Sequence, residues 1–173
     1  MNKISILALM VFVSCNGSTG SRKVQYESRK TYGDFEGDQY HLVCYSSLKD
    51  VVYESRSDSL KGNFYSSVVY KDTMKLSRRD MDRIANNFYR YRIDQIEGLK
   101  YIEKAAITPS VFSTIVVFKN NIRVAELNVA WDGEGPVRAF NDSVSKILLQ
   151  QPEYKFVKDT IARLYQKRPR MLL

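Results

Sequence analysis

Two cysteines, Cys15 and Cys44, and one histidine, His41, bound the metal and nucleophile chemistry open to this chain. A zinc site would have to join His41 and Cys44 to carboxylates from elsewhere in the sequence. Around them the pattern has period two, with Tyr40, Leu42 and Cys44 alternating with His41, Val43 and Tyr45. On a strand, positions i and i+3 face opposite ways, so His41 and Cys44 are expected not to converge on a metal or as a Cys–His pair. Cys44 reads instead as a small buried hydrophobe, and His41 as a surface or half-buried strand residue. The densest acidic run is Asp34-Phe35-Glu36-Gly37-Asp38. A calcium loop of the EF-hand type wants glycine at its sixth position and Glu at its twelfth. Here glycine is fourth and the twelfth residue is Tyr45, so the run is expected to be a solvated loop. The chain has no Gly-x-Ser-x-Gly elbow, phosphate-cradling loop or dinucleotide fingerprint. No catalytic residue, metal ligand or cofactor is therefore assigned. A glycosidase-like carboxylate pair could come from distant positions, but no residue nominates itself.

Two further residue types draw attention. There are twelve tyrosines, many in strand-like segments (Tyr40, Tyr45, Tyr53, Tyr65, Tyr70 and Tyr101). They suit half-buried strands, and on an exposed sheet face they would form an amphipathic contact surface. Arg78, Arg79, Arg83, Arg90 and Arg92 stand among Asp80, Asp82 and Asp94. This mixture reads as the solvated side of a helix rather than as an anion site.

The elements that must position these residues follow from periodicity. Residues 29 to 39 are polar and turn-rich, so firm structure is expected to start near Tyr40, with Val24 to Ser28 as an edge strand. Val51 to Arg56 and Asn63 to Lys71 read as strands separated by a turn over Ser57 to Gly62, and Gly98 to Ile107 as another, ended by Thr108-Pro109. Val111 to Lys119 and Ile122 to Trp131 flank Asn120-Asn121, and Asn tolerates the positive φ of a two-residue hairpin turn. Period 3.6 marks three helices. Ser77 to Gln95 aligns Met81, Ile84, Ala85, Phe88 and Tyr91 behind a capping-box variant at Ser77-Arg78-Arg79-Asp80. Val137 to Gln151 follows Gly135-Pro136 and aligns Val137, Phe140, Val144, Ile147 and Leu148. Pro152 opens the third, with Val157, Ile161, Leu164 and Tyr165 facing inward and Pro169 beyond its end. The expected fold is α+β, a largely antiparallel sheet of 5–7 strands with three helices packed mainly on one face.

The N-terminus carries the most directed signal. Met1-Asn2-Lys3 precedes ten apolar or small residues, Ile4 to Val13, the pattern of a signal peptide. This run is shorter than the roughly 20 apolar residues a membrane-spanning helix needs. At its end, Phe12-Val13-Ser14-Cys15 resembles the lipobox of bacterial lipoproteins. The resemblance implies cleavage between Ser14 and Cys15 and a lipidated Cys15, a membrane anchor made stable by a second acyl chain. An ordinary signal-peptidase site after Ser18-Thr19-Gly20 is the competing reading. The organisation expected is 1–14 signal peptide, 15–38 lipidated cysteine and flexible polar tether, and 39–173 one α+β domain. If Cys15 carries lipid, Cys44 has no disulfide partner.

Removing residues 1 to 14 takes Lys3 from the 27 basic residues and leaves 26 against 19 acidic. Arg22 and Lys23 belong to the tether, so the body from Val24 carries 24 against 19. A mildly basic exported domain suits anionic head groups, acidic glycans or an acidic protein, and nucleic acid is not an expected partner. The function expected is that of a lipid-anchored cell-envelope protein, facing the periplasm or the exterior, that binds an envelope protein or glycan. The rivals are an exported hydrolase using two carboxylates on the open face of the sheet, and an immunity-type inhibitor of an envelope-acting toxin.

Overall fold

Asn120 and Asn121 both take positive φ, 53° and 64°, and close the hairpin that the paired asparagines predict. The computed structural model describes residues 30–46, 48–65, 67–96, 101–102, 112–130 and 134–167. In chain order its strands are β1 (Tyr40–Tyr45), β2 (Val51–Glu54), β3 (Ser59–Phe64), β4 (Ser67–Thr73), β5 (Tyr101–Ile102), β6 (Phe112–Lys119) and β7 (Ile122–Ala130). They form one sheet ordered β4-β3-β2-β1-β6-β7-β5. Every pairing is antiparallel except β5 with β7. The helices are α1 (Tyr32–Gly37), α2 (Arg78–Arg90), α3 (Pro136–Gln150) and α4 (Pro152–Gln166). The α+β architecture is therefore as expected, with a fourth, short helix added.

One cluster forms the core. From the sheet it takes Leu42, Cys44, Val51, Tyr53, Leu60, Ile115, Val117, Ala125, Leu127 and Val129, all buried. Against them lie the apolar stripes of the three long helices. Met81, Ile84, Ala85 and Phe88 of α2, Val137, Phe140, Val144, Ile147 and Leu148 of α3, and Val157 and Ile161 of α4 are all buried. Tyr91, Leu164 and Tyr165 pack on the same cluster while half-buried. The Ser77 side chain accepts the Asp80 N–H at the start of α2, and Pro136 and Pro152 occupy the first turns of α3 and α4.

Four expectations need correction. The helix expected over Ser77 to Gln95 ends at Arg90, because Arg92 takes a left-handed φ of 55° and Ile93–Gln95 forms a separate 3-10 turn. The acidic run at residues 34–38 is not a solvated loop, because Tyr32–Gly37 is helical. Thr31 and Asp34 close a capping box at its start. Phe35, 1% exposed, packs edge-on to Phe88 with ring centroids 5.1 Å apart. Ordered structure thus begins before Tyr40, and the last part of the segment expected as tether belongs to the domain. The turn over Ser57–Gly62 is also misplaced. The turn is Ser55–Asp58, and strand β3 already runs through Gly62. Gly62 marks a close approach rather than a turn: a Cβ there would lie 2.8 Å from Cγ1 of Val157 on α4. Finally, Asn63 to Lys71 is not one strand, for it breaks at Tyr65, whose φ is 49°, into the ends of β3 and β4. Of the strand expected over Gly98–Ile107, only Tyr101–Ile102 is described, as β5. Val24–Ser28, Val111, Trp131 and Pro169 lie outside the described residues, as do Ser14 and Cys15. Among the described residues no helix is long and apolar enough to cross a membrane.

Candidate functional site

A cleft of about 290 Å³ opens where the C-terminal end of β1 meets α3 and α4. Its floor is apolar, made by Cys44, Ile115, Val129, Val144 and Leu148. Its walls are polar. The β1–β2 turn contributes Ser46 and Asp50, β6 contributes Ser113, α3 contributes Arg138, Asn141, Asp142 and Ser145, and α4 contributes Lys158. Leu48 and Leu149, both exposed, stand at the rim.

The polar groups hold one another in place. Arg138 Nε donates to the Asp142 carboxylate at 2.8 Å, one helical turn on, and its Nη1 donates to the Ala130 carbonyl at the end of β7. That second bond ties α3 to the sheet beside the cleft. The Ser113 hydroxyl donates to Asn141 Oδ1 at 3.0 Å, joining β6 to the same helix. Asn141 is 7% exposed, a polar residue within the buried stripe of α3. Ser46 donates its hydroxyl to Asp50, and its oxygen accepts the Val51 N–H, which fixes the β1–β2 turn. The result is a shelf of donors and acceptors around an apolar base, the general form of a small-ligand site.

Cys44, part of this floor, is 6% exposed. Burial pushes its thiol up to about 12, so at neutral pH it is protonated and a poor nucleophile. His41 is on the opposite face of β1, as the alternation predicts. Its ring stacks on Phe118 at 4.7 Å between centroids. Burial, and then the neighbouring Arg56 charge, lower its pKa below the ordinary 6.5. His41 borders a second, polar hollow of about 380 Å³ with Tyr32, Glu36, Tyr40, Ser55 and Arg56. Burial, reinforced by Glu36, pushes the Tyr32 phenol there up to about 12. Among the described residues no three His, Cys, Asp or Glu side chains are grouped as a metal would need.

The open face of the sheet has a readable register. Glu54 of β2, Val43 of β1, Val116 of β6 and Glu126 of β7 lie in one row across it. Three strand spacings of about 4.8 Å put the two glutamate Cα atoms roughly 14 Å apart. Glu126 is engaged by Arg123 and by the Asn128 amide, and Glu54 accepts from Ser57. In the cleft, Asp50 and Asp142 are held by Ser46 and Arg138.

Of the cleft's lining, the sequence singles out Cys44 and Tyr45, but none of the Ser, Asp, Asn, Arg or Lys side chains of its walls. One signal was present, since Asn141 is spaced four residues from Val137 and three from Val144, inside an otherwise apolar stripe. Comparison with family models, with curated proteins and with solved structures finds no match to this chain.

Proposed function

We propose that this chain is a lipid-anchored protein of a bacterial cell envelope that works by binding, with the α3–α4 cleft as its recognition site and an envelope glycan as the preferred ligand over a protein. The anchoring part of the reading is supported by Val13-Ser14-Cys15 at the end of a signal-length apolar run. The binding part is carried by one observation, the 290 Å³ cleft with an apolar floor and a fixed polar rim. Its volume is near the lower end for ligand pockets, about 300–1,000 Å³, and so suits one or two sugar units better than a protein side. Sugars present apolar ring faces and hydroxyl edges, which match that floor and the Arg, Asn, Asp and Ser groups around it. The hydrolase reading is less well supported, because the Glu54 and Glu126 carboxylates are each already engaged by neighbouring side chains.

The test uses soluble peptidoglycan fragments and the full chain in non-ionic detergent. Binding is expected to raise the melting temperature of the natural chain. Ser145→Trp, which fills the cleft from α3, should abolish that rise without lowering the ligand-free melting temperature by more than a few degrees. Turnover of the fragments that Asp50→Asn or Asp142→Asn stops would replace this reading with the hydrolase. An equal melting shift in the Ser145→Trp variant would remove the cleft from it.

A further inference from the structure

The exposed side of α2 carries a second arrangement that shares no residue with the cleft. Arg79, Arg83, Asn86 and Arg90 are spaced by four, three and four residues, so they fall on one stripe of the helix. Eleven residues at 1.5 Å each stretch that stripe over about 16 Å. Lys30 flanks it, and with Asn87 these residues line a shallow furrow of about 740 Å³.

The acidic residues among these arginines are turned to structural work beside the stripe. Asp80 accepts from the hydroxyl of Ser77, the N-cap of α2, and donates its own N–H to that oxygen, while its carboxylate lies 3.3 Å from Arg83. Asp82, which also borders the furrow, accepts the Tyr32 N–H at 2.8 Å and faces Arg78 at 3.7 Å. Arg79 and Arg90 are exposed and make no ion pair among the described residues. The furrow therefore holds a surplus of positive charge in guanidinium groups, which bond carboxylates and phosphates through a planar fork.

We propose that this furrow binds a linear, carboxylate-bearing polysaccharide. Two features choose that ligand. The carboxamides of Asn86 and Asn87 lie between Arg83 and Arg90, which suits a polymer that presents hydroxyl groups between its charges. A polyphosphate has no such hydroxyls. A membrane or protein partner is disfavoured because none of the large exposed apolar side chains (Leu48, Tyr65, Val68, Val69, Ile122, Leu149 and Phe156) is on α2. A bilayer contact wants an apolar wedge, and a protein interface wants an apolar or aromatic centre. The inference goes beyond the cleft and holds whether or not the cleft binds a ligand.

The experiment measures binding of the full chain, in non-ionic detergent, to polygalacturonate, to long-chain polyphosphate and to phosphatidylglycerol vesicles. Polygalacturonate is expected to bind most tightly, and less so as salt rises. Charge-assisted hydrogen bonds contribute about tenfold in affinity apiece, so Arg79→Gln/Arg83→Gln/Arg90→Gln should weaken binding at least about tenfold. Gln keeps helix propensity, and Arg79→Gln/Arg90→Gln serves if the triple variant is unstable. Asn86→Ala/Asn87→Ala should weaken polygalacturonate binding and leave polyphosphate binding unchanged. Lys155→Gln/Arg163→Gln/Lys167→Gln, which removes the same charge from α4 and its C-cap and touches no cleft residue, should change nothing. Equal losses in the α4 variant would reduce the effect to net charge and overturn the proposal. Preference for vesicles would assign the stripe to a membrane, and preference for polyphosphate untouched by the asparagine changes would assign it to phosphate; either result also overturns it.

Discussion

Strand β1 has two histories on its two sides. Leu42 and Cys44 point into the aromatic and aliphatic mass under α2, α3 and α4 and are nearly inaccessible. His41, Val43 and Tyr45 point the other way and stay half-buried, in a face where polar groups such as Asn128 and Glu126 bond across the surface. One side is therefore fixed by burial, which is large and non-directional. The other buries less, chiefly Thr114 and Val116 of β6, and relies more on pairwise contacts of smaller size. The stability of the domain should reside on the covered face, and substitutions that compare the two sides can break or sharpen that account.

The largest contrast concerns Cys44. In the chain carrying Cys15→Ser, a thiol reagent at neutral pH should label Cys44 at least about a thousandfold more slowly than in denaturant, since labelling requires opening of the core. Fast labelling of the folded chain would mean the cleft floor is not closed. Next is Phe88, fully buried and in ring contact with Phe35, Tyr40, Tyr89 and Phe140. Phe88→Ala should cost about 3–5 kcal/mol in denaturant unfolding. Gly62→Ala comes third, because its methyl group would meet Val157 at 2.8 Å; overpacking of this kind costs about 1–3 kcal/mol. Phe118→Ala, on the open face, should cost only about 1 kcal/mol, in the range of ordinary substitutions. If it matched Phe88→Ala, the open face would be a second core.

The smallest effect is the titration of His41. Its folded pKa is lowered, chiefly by burial, so the unfolded chain binds the proton more readily. This group's contribution is fully present above the unfolded value of 6.5 and is lost as pH falls from there through the folded pKa. A urea series across that window should show a slightly shallower acid loss in His41→Gln than in the natural chain. A steeper loss in the variant would reverse the sign of the argument.

The long helices were legible because their stripes are long and strongly periodic, and Ser77, Pro136 and Pro152 mark their starts. The Asn120-Asn121 hairpin was legible because its residues accept the positive φ they adopt. What escaped was decided by tertiary contact. Gly62 looks like a turn residue until α4 is laid across it, and Tyr65 breaks a strand although nothing in tyrosine signals positive φ. Helix α1 carries a single buried anchor, Phe35, between two glycines, too little for a period to show. The cleft escaped for a related reason. Ser46, Ser113 and the α3 pair Arg138 and Asn141 come from three distant stretches of sequence, and only the meeting of the β1–β2 turn, β6 and α3 makes them neighbours.

The central proposal is that this domain works while tethered to a membrane through Cys15. The most direct test is the intact mass of the mature protein recovered from the membrane fraction of the cells that make it. The account predicts a chain that begins at Cys15 and carries acyl groups, absent when Cys15→Ser is expressed. A lipid-free chain beginning near Ser21 would contradict it and turn attention to diffusible ligands.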